Sequence, residues 1–414
     1  MRDIEYFNVY NERYIQILKS NPLLYKIRLE LLGEYENTIG EITKDISVTA
    51  QGQICVTKQN ITRRSCSLTL YDVENKYIPS PNSLVWFKRK FKLLIGVVDL
   101  NNGDIYWWNQ GVYYIQGANS DGTTVNIEGI DKGGALDGSL SVNLLENNHI
   151  IEVGSNLSEL IKDTLMLDSG KGSVDPIFPI IDTHFESIVI ENEITINSSS
   201  YIGDIFSSLA ENYKSDVYYD TSGHMRFCRT VDAEYVDGYK YLAHQWEYSD
   251  NDAWYANRNY QYNFDGYNSV TVYTNMSETE ENNTEDLNVS YTARNNNPLS
   301  PLRVGLVGTR NTEPKEIKYV DVSRTEMQKR CKDLGDYLLL KESFFGMTLS
   351  FNSPIIPHMD VDKTIGITDK SQNLNQDTFV VQSITIPLAA GEMNISATNI
   401  NWLPNNFDID GKEM

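Results

Sequence analysis

The sequence predicts an α+β, β-rich fold in which two strand-rich domains flank a small α/β domain. Three observations predict it. Apolar residues alternate with a period of two over most of residues 23–135 and again after Tyr260. β-branched and aromatic residues fill those runs, and turn signals such as Asn101-Asn-Gly, Ser120-Asp-Gly and Lys132-Gly-Gly separate them. Between the two regions the pattern changes to amphipathic helices followed by a hairpin.

At the N-terminus, Tyr10, Tyr14, Ile17 and Leu18 share one face of a predicted helix over 5–19, which Asn21-Pro22 ends. Strands are predicted over 25–32, 46–50, 54–57, 65–70, 85–95, 104–108, 112–115 and 124–130. Seven or eight short strands in about 110 residues suggest a closed barrel or a sandwich. In the middle, Ser155-Asn156 supplies cap residues before the stripe Leu157, Leu160, Ile161, Leu165, which predicts a helix. Asp168-Ser-Gly-Lys-Gly-Ser173 reads as a flexible loop, 201–213 as a second helix, and 216–228 as a hairpin turning at Asp220–Gly223.

Alternation resumes at 268–274. Residues 277–297 carry Glu278, Glu280, Glu281, Glu285 and Asp286 with little apolar content, so an exposed loop is expected there. A long helix follows over 323–341, with Ser323 as N-cap and Glu326 completing a capping box. Strands at 345–351, 364–368, 379–386 and 392–398 complete the second strand-rich region. Trp402 is its last apolar anchor, and the tail Asp408-Ile-Asp-Gly-Lys-Glu is expected to fray. The predicted organisation is an arm over 1–22, strand-rich domains over 23–137 and 262–403, an α/β domain over 138–261, and an acidic tail over 404–414.

Composition bounds the function. The 414 residues suit two to four domains at about 100–200 residues each. Lys plus Arg is 35 against 57 Asp plus Glu, a formal charge of −22, so the general surface repels nucleic acid phosphates and anionic membranes. Apolar runs are short and broken, none approaching the ~18–20 residues of a membrane span. No secretory leader is expected from MRDIEYFNVYNERY. The 4 cysteines, Cys55, Cys66, Cys228 and Cys331, form no C-x-x-C and are expected to be packed free thiols in a reducing compartment.

Catalytic and metal signals are absent from the pattern. The 5 histidines (His149, His184, His224, His244, His358) show no i, i+3 or i, i+4 pairing. No Gly-x-Ser-x-Gly or His-Glu-x-x-His occurs. Gly170-Lys-Gly-Ser173 lacks the upstream glycine and leading strand of a phosphate loop, and Asp408-x-Asp410-Gly411 lacks the downstream glutamate of a calcium loop. No cofactor and no metal is expected. One basic cluster stands out, Lys88, Arg89, Lys90 and Lys92, on a predicted strand. In so acidic a chain it is a candidate subunit interface; the competing reading is a solvated strand face with Phe87, Phe91 and Leu93 inside. Arg63-Arg64 carries the same ambiguity.

Several stretches together resemble the central tail or baseplate hub proteins of tailed bacteriophages and related contractile injection machines. Phe91-Lys-Leu-Leu-Ile-Gly followed by Trp107-Trp-Asn-Gln-Gly-Val-Tyr-Tyr-Ile looks like the first hub barrel, and Asp131-Lys-Gly-Gly-Ala-Leu-Asp-Gly looks like its exit. Ile202-Gly-Asp-Ile-Phe-Ser-Ser-Leu-Ala and Tyr218-Tyr-Asp-Thr-Ser-Gly-His-Met-Arg-Phe resemble the middle domain. The helix ending Tyr337-Leu-Leu-Leu, then Ser353-Pro-Ile-Ile-Pro-His-Met-Asp-Val-Asp-Lys-Thr-Ile-Gly-Ile and Phe379-Val-Val-Gln-Ser-Ile-Thr-Ile-Pro-Leu, resemble the second barrel. The resemblance covers roughly 23–403. Val361-Asp-Lys departs from it, since relatives more often carry Pro-Gly-Asp there.

The resemblance implies two tail-tube-like β-barrels per chain and a homotrimer whose ring of six barrels adapts a sixfold tube to a threefold tip. It implies a virion structural protein, assembled in the bacterial cytoplasm, with no enzymatic activity. Its implied partners are a tail tube or distal tail protein, a central spike, fibre or tip protein, and phage DNA that passes without specific binding. Two other readings stay open at this point. One is a sugar- or receptor-binding tail protein, suggested by the 26 Tyr and 6 Trp. The other is a tail-associated cell-wall hydrolase.

Overall fold

A computed structural model describes residues 3–6, 12–20, 22–42, 52–72, 74–140, 145–166, 175–191, 193–229, 244–252, 255–262, 266–275, 288–298, 300, 302–318, 323–343, 347–389 and 391–399. The chain is β-rich with few helices. It divides into two compact units. The first holds Met1–Thr230, Asn352–Asp362 and Gln382–Ile395; the second holds Val231–Phe351, Lys363–Val381 and Ser396–Met414.

The first unit opens with β1 (Asp3–Tyr6) and α1 (Glu12–Leu18), followed by β2 (Tyr25–Leu32), β3 (Thr38–Glu41), β4 (Gln53–Thr57), β5 (Arg64–Tyr71), β6 (Lys90–Val98), β7 (Ile105–Ser120) and β8 (Thr124–Asp131). Pairing runs β3-β2-β6-β7-β8-β5-β4. Every one of those pairs is antiparallel, and β4 pairs onward with Ser383–Pro387. Alternation is clean in β5, where Cys66, Leu68 and Leu70 point inward opposite Gly129, Ile127 and Val125 of β8. Burying each such aliphatic side chain contributes about 1.5–3 kcal/mol.

Three sequence expectations need correction here. Residues 3–6 form a strand, parallel to Ile105–Trp108 of β7, rather than the start of a helix; α1 begins at Glu12. Its face, Tyr14, Ile17 and Leu18, is buried as the periodicity requires. The runs at 104–108 and 112–115 are one 16-residue strand, β7. Gly111, at φ 144°, sits where the register with β6 shifts, so the strand bends through a bulge instead of ending. The run at 85–95 is a strand only from Lys90, because Lys88 adopts φ 64° in a turn ahead of β6.

The same unit continues with β9 (His149–Ile151), α2 (Leu157–Leu165), β10 (Ile180–Ile181), β11 (Ile194–Ile196), α3 (Ile202–Asn212), β12 (Ser215–Tyr219) and β13 (Met225–Arg229). Asn156 caps α2, its side chain accepting the Glu159 N–H at 3.0 Å. The apolar stripes of α2 and α3 meet the β12–β13 hairpin in one core: Leu157, Ile161, Leu165, Ile205, Phe206, Leu209, Val217 and Phe227 are all buried. The hairpin turns where the sequence predicts, with the Asp220 N–H donating to the His224 carbonyl.

The second unit contains β14 (Trp246–Ser249), β15 (Ala256–Tyr262), β16 (Ser269–Asn275), β17 (Ser290–Arg294), α4 (Val304–Val307), β18 (Lys315–Lys318) and α5 (Arg324–Ser343), then most of β19 (Met347–Ser353), β20 (Thr364–Asp369), and parts of β21 (Leu374–Pro387) and β22 (Met393–Asn399). β16 pairs antiparallel with β17 and parallel with β18, and α5 packs Met327, Cys331 and Leu339 against Val270, Val272 and Ala293. The Glu326 N–H donates to Ser323 Oγ at 3.2 Å, as the cap requires. β20 pairs parallel with β14 and antiparallel with β21. The expected exposed loop over 277–297 is corrected at its C-terminal end, since Ser290–Arg294 is a paired strand. Its acidic residues lie outside the described residues, as do the strand expected at 46–50, the Asp168–Ser173 loop, Trp402 and the acidic tail.

Candidate functional site

Among the described residues, no three His, Cys, Asp or Glu side chains gather into a group that holds a metal. Cys66 and Cys331 are buried and Cys55 and Cys228 half-buried, all as free thiols; burial pushes the Cys228 thiol up to about 12. Among the described residues, the first unit holds two buried charged networks and one exposed basic turn; the second holds a smaller network, in which fully buried Asp369 pairs with Arg258 at 2.9 Å.

The first network forms at the exit of β8. Asp131 is buried, and its carboxylate accepts the backbone N–H groups of Arg63 and Arg64, each at 2.8 Å, and of Gly133 at 3.0 Å. Burial pushes this carboxyl up to about 6 against those hydrogen bonds. The chain passes so close here that a Cβ on Gly133 would lie 2.3 Å from the Ile61 carbonyl oxygen. With their backbones fixed, both arginines reach the returning segment. Arg63 Nη1 pairs with Asp362 at 2.5 Å, and its guanidinium stacks 3.6 Å from the Tyr218 ring. Arg64 Nη2 pairs with Asp360 at 2.5 Å. Lys58 Nζ reaches Asp362 at 2.9 Å. Burial opposes ionisation of Asp362, but the Lys58 and Arg63 charges outweigh it and hold the carboxyl below its usual range. Asp362 adopts φ 61°, a left-handed conformation that Asp tolerates and Gly adopts freely.

The second network surrounds Lys132, whose side chain is only 2% exposed. Its Nζ lies 2.6 Å from Glu36, 2.8 Å from Asp175 and 2.8 Å from the Gly223 carbonyl oxygen. Glu36 also receives Lys90 Nζ at 3.3 Å, and Lys90 donates to the Glu34 carbonyl at 2.8 Å. Desolvation lowers the Lys90 pKa despite Glu36, and Lys132 adds to the lowering. The β2–β3 hairpin, β6, the β8 exit and the β12–β13 turn are thus tied together through one set of charges.

The four residues of the basic cluster therefore separate. Lys90 is buried in the second network. Lys92 is half-buried on β6, 3.8 Å from Glu30. Lys88 and Arg89 lie exposed in the turn, beside Leu84 (45% exposed), Trp86 (38%) and Phe87 (46%). Lys88 Nζ stands 5.8 Å from the Phe87 ring centre. Arg63 and Arg64 are internal ties rather than a surface. Sequence reasoning missed Glu36, Asp360 and Asp362 as partners of Lys90, Arg64 and Arg63, and missed the buried Lys132–Asp175 pair that shares Glu36. The signal available was Asp131-Lys-Gly-Gly, charged residues beside glycines that admit close backbone approach.

The fold is that of phage tail proteins, and it recurs in a PdpA–VgrG complex. The tail protein from Neisseria meningitidis MC58 is similar over 94% of this chain and 98% of its own, with a TM-score of 0.56 at 12% identity. The 43 kDa tail protein of prophage MuSo2 from Shewanella oneidensis matches 92% of this chain and 100% of its own, with a TM-score of 0.54 at 11% identity. In a Francisella PdpA–VgrG complex, the likeness covers 93% of this chain and 54% of that one, with a TM-score of 0.51 at 11% identity. No protein-family model and no curated protein sequence matches the chain.

Proposed function

We propose that the chain is the structural hub of a phage tail tip or baseplate, three copies of which form a ring that joins the sixfold tail tube to the threefold central tip. The observation that carries this reading is the fold likeness to a tail protein over 94% of this chain and 98% of the other. On this reading the regions 23–137 and 262–403 are two tail-tube-like barrels flanking the α/β domain 138–261, and three chains present six barrels in a ring. The arm 1–22 and the tail 404–414 flank them. The role is mechanical and non-enzymatic. A tail tube or distal tail protein binds on one side of the ring, and a central spike, fibre or tip protein on the other.

Assembly takes place in the bacterial cytoplasm, which the free thiols support, and the finished hub resides in the virion. DNA passes through the ring without specific binding. Three chains carry three times −22, or −66 formal charges, and an acidic wall repels phosphates over about 8–10 Å at physiological salt. The same charge works against self-association, so Lys88 and Arg89 supply interface charge at the surface, while Lys90 and Lys92 fix the strand behind it.

The mass of the purified chain in solution tests this. A trimer of 47.2 kDa subunits weighs about 142 kDa. A chain that stays monomeric at every concentration reached overturns the reading.

A further inference from the structure

A closed ring of three joins two unlike surfaces at every contact, so one chain must carry a patch and a different, complementary patch. The first unit has such a pair. Over residues 77–92 the sequence holds four Lys or Arg and no Asp or Glu. The turn in that stretch exposes Trp86, Phe87, Lys88 and Arg89. It is held in shape from behind: Val85 is fully buried, the Lys88 N–H donates to the Ile115 carbonyl, and the Ile115 N–H donates to the Arg89 carbonyl. A pre-shaped turn bearing two aromatic rings loses little entropy on docking.

Over residues 145–191 the balance is opposite, with nine Asp or Glu against two Lys. Here β9 pairs with β11, placing Ile150 opposite Thr195. The segment after β9 is tied to 188–190 by the Gly154 N–H to Ile190 carbonyl and Ile190 N–H to Ser155 carbonyl hydrogen bonds. Ile151 and Ile190 point into the core. Alternation therefore turns Ile150 and Val189 outward, and Val153 stands out in the turn that follows β9; all three are exposed, as are Glu152 and Glu186 in the same two segments. Apolar side chains set among carboxylates fit aromatic rings set among cations.

We propose that, in the ring, the Trp86–Arg89 turn of one copy docks on the Ile150–Val153 and Glu186–Val189 face of the next copy. This rests on the trimeric reading and names the two surfaces that make it. The aromatic rings cover Ile150, Val153 and Val189, and Lys88 and Arg89 face Glu152 and Glu186.

Charge reversal on each side, and on both, tests it. All four side chains are exposed, so the substitutions leave the folded subunit intact. K88E/R89E and E152K/E186K should each weaken assembly roughly tenfold or more, and less so at high salt. The fourfold variant, with both patches reversed, should recover to within a few fold of wild type. A fourfold variant as weak as the two defects combined overturns the pairing, as does normal assembly of K88E/R89E. If the wild type trimerises in either of those cases, only this pairing fails. A wild type that never assembles overturns the trimeric reading and this inference with it, and leaves the patches to a different partner.

Discussion

Replacing Lys132 by Met tests the account of how the first unit is held together. The substitution keeps most of the side-chain volume and removes the ammonium group that lies within 3 Å of Glu36, Asp175 and the Gly223 carbonyl. Both carboxylates are nearly buried, with side chains 10% and 3% exposed. Glu36 keeps Lys90 at 3.3 Å, but Asp175 loses its lysine and keeps the Ile177 N–H at 3.0 Å. Breaking a buried ion pair from one side costs about 3–5 kcal/mol. In a unit of about 250 residues that corresponds to a fall of roughly 6–20 °C in unfolding midpoint. Thermal unfolding followed by circular dichroism at pH 7 should show it, and the loss should persist at 1 M salt, since buried pairs are poorly screened. K132M/D175N should recover part of the loss by removing the stranded charge. A midpoint within about 2 °C of wild type, or a double variant worse than the two single changes added, would refute the reasoning.

Asp220 titrates with the opposite consequence from Asp131. Burial opposes its ionisation, but hydrogen bonds from His224 and the Arg226 charge hold its carboxyl down at about 2. Its folded pKa lies below its unfolded value, so it stabilises the fold above about pH 4, and this is lost as pH falls through about 2. D220N should therefore cost about 2 kcal/mol near neutrality and converge with wild type in strong acid, as read from denaturant midpoints across pH. Asp131 is held up at about 6, so its ionisation lowers stability as pH rises from about 4 to 6; a carbon-13 carboxyl titration should find its midpoint near 6, and a midpoint near 4 contradicts its burial. Asn268 is fully buried and grips the loop before β18, donating to the Leu302 and Gly308 carbonyls and accepting the Arg310 N–H. N268A should cost about 2–4 kcal/mol and speed amide exchange at Arg310; unchanged exchange there would show the loop is held by other groups.

Much of the fold is legible in the sequence because its signals are local. Strands such as β5 and β8 alternate, α2 carries a cap and an apolar stripe, and the Asp220–Gly223 turn announces its hairpin. The misreadings arise where a backbone event has no compositional mark. Trp86 and Phe87 look like strand residues, yet a left-handed Lys88 turns the chain before β6 begins. The bulge at Gly111 joins two apparent strands into one. The ionic networks were least legible. Arg64 and Asp360 are 296 residues apart, and Lys132 and Asp175 are 43 apart. Nothing in the local pattern around a lysine states which carboxylate will neutralise it, so Arg63-Arg64 and Lys90 read equally well as surface charge.

Images of the purified assembly test the central claim most directly. Averaged single particles should show a ring with threefold symmetry, six lobes of similar size and a central opening whose inward side chains are more acidic than basic. A particle without threefold symmetry, a ring with no opening, or an opening lined mainly by Lys and Arg would contradict the account of this chain as a DNA-conducting tail hub.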